Sequence, residues 1–160
     1  MSDIQVRIGS EREMKVPADV VYRVLADYQS HHPAILPDAF SRFGVEQGGV
    51  GAGTEIYYDL KAGGRTTHHH AWIDEPVPGR ILTETDLNSG AITQFEVTPL
   101  ISGCVVRITT IFAASAGPMG WLERMLAPRM LRRIYDEELE NLERHSSDVA
   151  ALAAEDLVPA

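Results

Sequence analysis

The chain has 160 residues, the usual size of one domain, and 44% of them are hydrophobic, which is enough to build a core. Its net charge of −9 at pH 7 argues against a nucleic-acid partner and against an anionic membrane surface, because both require a basic protein surface. No hydrophobic run approaches the roughly 18 residues that a membrane span requires, so we expect no membrane insertion.

The N-terminal segment and the cysteine content bear on cellular location. Residues 1–5 lack a basic stretch followed by a hydrophobic one, so they do not resemble a secretory signal peptide. Cys104 is the only cysteine, which excludes an intrachain disulfide and fits a reducing compartment. We therefore expect a cytoplasmic protein.

The first predicted elements are a strand and a short helix. Hydrophobic and polar residues alternate over residues 4–16, which predicts a strand with one buried face that ends at Pro17. Hydrophobic residues then recur every three or four positions over residues 20–28, which predicts an amphipathic helix. Pro33 closes this helix, and we expect a further helical turn over residues 34–36.

Six further strands are predicted between residues 39 and 114. Glycine, proline and asparagine clusters separate short segments rich in β-branched and aromatic residues, which is typical of an antiparallel meander with tight turns. The clearest hairpin signals are Gly63-Gly64 and Asn88-Ser89-Gly90. The predicted strands are 39–47, 53–62, 65–76, 79–87, 91–99 and 103–114.

A long helix is predicted from residue 117, where the hydrophobic period changes. Hydrophobic residues cover more than a narrow stripe of its first two thirds, so we expect other elements to surround it. Pro128 predicts a kink or a break near Ala127. We place the end of the helix near His145 and expect a frayed tail over 146–160, which is polar and Ala-rich with no clear face.

These elements predict an α+β fold in one domain that spans residues 1–145. A seven-stranded antiparallel sheet must bury one face, and the long helix is the only large partner for it. A strongly twisted sheet curves around one helix without filling all the volume beside it. We therefore predict a helix-grip fold, with one or two short helices after the first strand and a cavity between the sheet and the C-terminal helix.

Four segments, in their order and spacing, resemble the SRPBCC superfamily, which includes START-like lipid-binding domains, Bet v 1-type proteins and polyketide cyclase/dehydrase-type proteins. The segments are VPADVVYRVLADY at 16–28, GVGAGT at 49–54, EPVPGR at 75–80 and FEVTP at 95–99. The resemblance covers about residues 3–145 and implies a cavity for a hydrophobic ligand. It transfers no catalytic residue, because members use different positions for different chemistry.

The leading functional hypothesis is the binding of a small hydrophobic or aromatic molecule, lipid- or polyketide-like, in that cavity. One alternative is a cyclase or dehydratase, a lyase or isomerase that uses a cavity histidine or carboxylate as general acid or base. A second alternative is a protein-interaction module that uses the groove for a partner helix. We find no phosphate loop, dinucleotide motif or nucleophile elbow and predict no cofactor; the expected oligomeric state is a monomer or a homodimer.

The histidine run at 68–70 contains the most conspicuous candidates. In a strand, His68 and His70 share one face with Trp72, whereas His69 points the other way. If the first face lines the cavity, it forms a half-polar wall that orients a ligand oxygen; otherwise it is an exposed polar face. Two histidines at this spacing can chelate a metal, but the spacing typical of a zinc site is absent, so we predict no metal.

Other candidates come from the neighbouring strands. Tyr57 and Tyr58 are adjacent, so only one of them can face the cavity. Arg107 lies in a hydrophobic strand, where it is either exposed or paired with a carboxylate such as Glu84, Glu96 or a ligand acid. The catalytic candidates are His68, His70, Glu84 and Tyr58.

Hydrophobic candidates cluster at two places, the segment that leads into the second strand and one stripe of the long helix. The segment is expected to form the mouth of the cavity, and the stripe to pack in the core or line the cavity. The predicted ligand-binding residues are Ile35, Leu36, Phe40, Phe43, Tyr58, His68, His70, Trp72, Phe95, Arg107, Trp121, Met125, Met130 and Ile134.

Overall fold

One antiparallel sheet and two α-helices account for the regular structure of residues 4–159, which the computed structural model describes except for the side chains at 119, 121–124 and 126. The strands are β1 Gln5–Met14, β2 Phe40–Gln47, β3 Glu55–Ala62, β4 Arg65–Val77, β5 Ile81–Asp86, β6 Ile92–Pro99 and β7 Cys104–Ala113. The helices are α1 Ala18–Ala26 and α2 Gly117–Glu155, and a single 3₁₀ turn spans His32–Ala34.

The strands follow one another in space as a meander, in the order β1-β7-β6-β5-β4-β3-β2. Every neighbouring pair is antiparallel, and β1 closes the far side of the sheet by pairing with β7. Irregular pairing between β2 and β3, and between β4 and β5 near Asp74, bends the sheet. The predicted seven-stranded helix-grip fold is confirmed.

The solid core lies at the α1 end of the molecule. The inner face of α1 buries Val21, Val24 and Leu25 completely, against a sheet that contributes residues such as Ile73 and Ile108. The C-terminal half of α2 packs on β1 and α1. At the other end of the sheet the inner face lies under α2 without being filled by side chains.

The C-terminal helix differs from its prediction in two ways. It continues to Glu155, beyond the predicted end near His145, because Ser146 is buried, Val149 and Ala150 pack against the core, and the alanine-rich sequence favours helix. The predicted frayed tail over 146–160 is therefore wrong for most of its length.

Of the predicted kink or break near Ala127, the break does not occur, because α2 runs through Pro128 without interruption. The Arg129 guanidinium donates a hydrogen bond to the Met125 carbonyl oxygen at 3.0 Å. This bond satisfies a backbone acceptor in the turn that the proline disturbs. Among the described residues, α1 and α2 included, no helix combines the length and hydrophobicity needed to cross a bilayer.

Candidate functional site

A cavity of about 530 Å³ lies between the inner face of the sheet and α2. Its size falls within the range of small-molecule sites. Strands β2 to β7 and one stripe of α2 supply the wall, which is largely hydrophobic. The hydrophobic lining includes Leu36, Phe40, Phe43, Ile56, Leu60, Phe95, Phe112, Leu131 and Ile134.

Six of the fourteen predicted ligand-binding residues line this cavity. They come from the segment before β2, from β2, β3 and β6, and from α2; they are Leu36, Phe40, Phe43, Tyr58, Phe95 and Ile134. Glu84, a catalytic candidate, lines it from β5. Their role in ligand binding stays a prediction.

The placement of His68, His70 and Trp72 in the cavity is wrong. Tyr58 on β3 pairs directly with His69 on β4, so these two side chains share the inner face and their neighbours point outward. His68 is 74% exposed and its Nδ1 donates to Asp59 Oδ1 at 2.5 Å. His70 Nε2 lies 2.8 Å from the Glu55 carboxylate on the outer face, so neither histidine is positioned for cavity chemistry.

Arg107 also lies on the outer face. Its guanidinium donates two hydrogen bonds to Glu11 Oε2 on β1, at 2.8 and 3.0 Å. The exposed alternative for this residue is therefore the one observed. Glu84, one of the carboxylates considered as a partner for Arg107, instead accepts a hydrogen bond from Tyr28.

Three further predicted residues do not line the cavity, and one cannot be placed. Ile35 is fully buried in the solid core and Met125 is half-exposed. Met130 lies against Gly63 in the β3–β4 hairpin. It points away from the cavity because the cavity face of α2 is formed by Leu131 and Ile134. The side chain of Trp121 lies outside the described residues.

A buried carboxyl occupies the α1 end of the cavity. The Tyr28 hydroxyl donates to Glu84 Oε1 at 2.6 Å, and His32 Nε2 lies 3.8 Å from the same oxygen. Burial raises the pKa of Glu84 to about 7, although the bond from Tyr28 works in the opposite direction. Glu84 therefore changes protonation near neutral pH, which suits a general acid or base.

His32 is held neutral beside this carboxyl. Its Nδ1–H donates to the Leu25 carbonyl oxygen at 2.7 Å, and its ring stacks on Tyr28 with centroids 4.3 Å apart. Burial lowers the pKa of His32 to about 4. Because Nδ1 carries the proton, Nε2 is an acceptor.

Glu138 projects from α2 into the same end of the cavity. It is only 3% exposed, and among the described residues none supplies a hydrogen bond to its carboxyl. Burial, followed by the negative charge on Glu84, raises the pKa of Glu138 well above its usual range. The two carboxyls are therefore electrostatically coupled.

A second polar cluster lies further along the wall, around His69. The His69 Nδ1–H donates to Asp86 Oδ2, and the Thr67 hydroxyl donates to His69 Nε2 at 2.8 Å. The Tyr58 ring stacks on His69 with centroids 5.0 Å apart. A carboxylate that fixes one imidazole nitrogen leaves the other available for proton transfer.

Asp86 is held as a carboxylate by its surroundings. Burial raises its pKa, but hydrogen bonds from His69 and from the backbone amides of Ser89 and Asn88 outweigh that effect, so the pKa of Asp86 is lowered. Asp86 is thus an orienting group for His69.

Hydroxyl groups of β6, β7 and α2 form a third cluster, beside Glu84 in the sheet because Thr93 is the strand partner of Glu84. The Thr110 hydroxyl is hydrogen bonded to the hydroxyls of both Tyr135 and Thr93, the latter at 2.7 Å. Burial raises the pKa of Tyr135 to about 12, so it remains a neutral phenol. Within the described part of the chain, no group of three or more His, Cys, Asp or Glu side chains is arranged to hold a metal ion.

Comparison with solved structures identifies the same architecture elsewhere. The KanY protein, solved by NMR, is 33% identical, with a TM-score of 0.80 over 92% of this chain and 99% of that chain. The Zhui aromatase/cyclase from Streptomyces sp. R1128 is 15% identical, with a TM-score of 0.71 over 90% of this chain and 94% of that one.

A third similar structure is norcoclaurine synthase from Thalictrum flavum, in complex with dopamine and hydroxybenzaldehyde. It is 17% identical, with a TM-score of 0.69 over 89% of this chain and 87% of that one. At such identities the second and third similarities show the fold alone.

Sequence comparison gives the family. A search of curated proteins found no significant match. The profile described as "Polyketide cyclase / dehydrase and lipid transport" matches residues 5–147, which include every strand, α1 and most of α2. The predicted SRPBCC relationship is confirmed, and the chain belongs to the polyketide cyclase/dehydrase and lipid transport family.

Proposed function

We propose that the protein binds a small hydrophobic or aromatic molecule in the cavity between the sheet and α2. The observation that carries this proposal is the unfilled volume of about 530 Å³ behind a largely hydrophobic wall. Burial of about 200 Å² of apolar ligand surface contributes roughly 5 kcal/mol before ordering costs. The three polar clusters around Glu84, His69 and Thr110 then set the orientation of the ligand.

Two measurements test ligand binding. Native mass spectrometry of protein purified without detergent is expected to reveal an added small-molecule mass. The neutral fluorophore N-phenyl-1-naphthylamine is expected to brighten on addition of the protein, because it enters an apolar environment. An unchanged spectrum, together with a bare protein mass, would contradict the proposal.

A matched pair of variants locates the binding. Ala127 lines the cavity from α2, whereas Ala151 is exposed on the same helix. Ala127→Trp fills part of the cavity and is expected to weaken fluorophore binding about tenfold or more. Ala151→Trp adds the same indole to the surface and is expected to leave binding unchanged.

A second candidate function is acid–base catalysis of the cyclase or dehydratase type. The observation that favours it is the His69–Asp86 pair in the cavity wall, with Glu84 on the same strand as Asp86. The family includes cyclases and dehydrases, and the similar Zhui protein is an aromatase/cyclase. We assign the role of proton acceptor to His69 Nε2, which exchanges its hydrogen bond from Thr67 for one from the substrate, or to Glu84.

An aromatic reporter of general-base chemistry tests this second function. 5-Nitrobenzisoxazole opens when a base removes its carbon-bound proton, and its product absorbs visible light. The wild-type protein is expected to accelerate this reaction, and His69→Gln to slow it about tenfold or more. His68→Gln, on the outer face, is the control; equal rates for the two variants would contradict the role of His69.

Location and assembly complete the proposal. We place the protein in the cytoplasm, in keeping with a single cysteine, Cys104, that is reduced and buried. A monomer or a homodimer stays our prediction. The protein-interaction alternative requires a groove open along its length, whereas α2 lies over the cavity, and we do not propose it.

A further inference from the structure

Two carboxyl groups dominate the polar surface at the α1 end of the cavity, and two of the donors beside them are already used within the protein. The Tyr28 hydroxyl is donated to Glu84, and the His32 Nδ1–H is donated to a backbone carbonyl. The remaining groups are the second oxygen of Glu84, the Glu138 carboxyl and His32 Nε2. Once both carboxyls are ionised, these groups only accept hydrogen bonds, so a ligand that ionises them must supply the donors.

Glu138 is the decisive group. Its side chain is 97% buried on the cavity face of α2, since it follows Ile134 and Tyr135 by four and three residues. Among the described residues none hydrogen bonds with it, and its oxygens face the cavity, where a bound molecule can reach them. Such a group is expected to have a partner that enters with the ligand.

Among the described residues that line the cavity, no cation is near enough to serve as that partner. Of the described residues that line the cavity, Arg65 is the one with a permanent positive charge, and it begins β4. Ile73, the residue paired with Glu84, lies roughly 26 Å further along the same strand at 3.3 Å per residue. His32, which is close, is neutral.

We propose that the α1 end of the cavity recognises the ammonium group of a hydrophobic amine, held between the carboxylates of Glu84 and Glu138. An ammonium group offers three donors and no acceptor, which complements the acceptors present here. The rings of Phe43 and Phe95, which flank His32, add a favourable surface for a cation. This inference rests on the proposed function and names its ligand class.

Binding of the amine is expected to change the number of protons that the protein holds. Without ligand, burial keeps a proton on the carboxyl pair near pH 7. The ammonium keeps its own protons and lowers the pKa of both carboxyls, so amine binding releases a proton from the protein to the buffer. The other titratable groups that face the pair are Tyr28, His32, Tyr58, Asp86 and Tyr135.

Three probes with the same aromatic body test the inference at pH 7. They are 1-naphthylmethylamine, 1-naphthylmethanol and 1-naphthoic acid, each titrated into the full-length protein by calorimetry. We expect the amine to bind at least about tenfold more tightly than the alcohol, and the acid to bind weakest. Repeating the amine titration in buffers of different ionisation enthalpy is expected to show proton release.

Glu138→Gln is the diagnostic variant, because it keeps the shape of the side chain and removes the charge. It is expected to abolish the preference for the amine over the alcohol and to reduce proton release. Glu96→Gln, on the outer face of β6, is the control and is expected to behave as wild type.

The outcomes separate this inference from the proposed function. Tighter binding of the alcohol or the acid than of the amine overturns the ammonium site but leaves the cavity as a ligand site. The same holds if the variant keeps the amine preference. Failure of all three probes to bind overturns both proposals.

Discussion

Glu84 shows how the environment of one residue decides its chemistry. Its carboxyl is surrounded by apolar walls and by the neutral rings of Tyr28 and His32. The folded protein therefore holds a proton on Glu84 at pH values where an exposed carboxyl has lost it. We therefore expect the stability of the protein to depend on pH through this residue.

The first prediction concerns the pH dependence of stability. Between the unfolded pKa of 4.5 and the folded pKa of about 7, the folded state binds the proton of Glu84 and the unfolded state does not. The free energy of unfolding therefore falls as pH rises through this window, by about 2–3 kcal/mol from this group. Glu84→Gln is expected to remove that decrease, as measured by urea denaturation at pH 5 and pH 8.

Comparison with a variant is needed because His32 titrates in the opposite sense. Its lowered pKa makes the folded state less stable as pH falls from 6.5 toward 4. The difference between wild type and Glu84→Gln reports Glu84 together with its effect on the pKa of Glu138, which the charge on Glu84 raises. Identical pH profiles for the two proteins, with Glu96→Gln as the control, would show that Glu84 is ionised at neutral pH.

The second prediction concerns the hydrogen bond from Tyr28. This bond stabilises the charged form of Glu84, so Tyr28→Phe is expected to raise the pKa of Glu84 further. Carboxyl carbon chemical shifts followed against pH provide the measurement. Tyr22→Phe is a matched control, because the Tyr22 hydroxyl donates to Glu75 at 2.7 Å; an equal shift of Glu84 in both variants would refute the assignment.

The cavity-facing residues were only partly predictable from the sequence. The Gly63-Gly64 turn pairs Ala62 with Arg65, and counting back along both strands places Tyr58 opposite His69. Opposite residues share a face, so the choice of Tyr58 already excluded His68 and His70. The pairing register of β3 and β4 shows which side chains face the cavity, which the residue types alone do not show. The approach of Glu138 to Glu84 joins distant segments and has no local signal.

Helix α2 shows the same limit at the scale of an element. Its start and its hydrophobic face follow from periodicity, and the strand positions follow from turn residues. Its end does not, because residues 146–155 become helical by packing on the core rather than by an amphipathic pattern. Pro128 likewise predicts a kink or a break, and α2 continues through this residue without a break.

The third prediction tests the packed end of α2. Deletion of residues 146–160 removes the buried Ser146 and the packed side chains Val149 and Ala150. It is expected to lower the free energy of unfolding by about 1–3 kcal/mol. Deletion of residues 156–160, which follow the helix, is expected to change it little. Equal stability of both truncated proteins would contradict the packing role.

The whole molecule has a filled end and an unfilled end. Helix α1 and the C-terminal half of α2 complete the core on one side, and the first half of α2 covers the cavity on the other. The sequence predicted the cavity, although not which end is filled, because a curved sheet around one helix encloses more volume than its side chains occupy. The chemistry of the ligand depends on how polar groups from separate strands meet, which required the structure.

Ligand binding inside the cavity is the central claim, and contacts between protein methyl groups and a bound aromatic molecule test it most directly. With methyl-labelled protein and N-phenyl-1-naphthylamine, nuclear Overhauser effects are expected from Ile56, Leu131 and Ile134, which line the cavity. Exposed Ile101 and Leu157 are expected to show none. Contacts confined to exposed methyl groups, or contacts with no methyl group, would contradict the account.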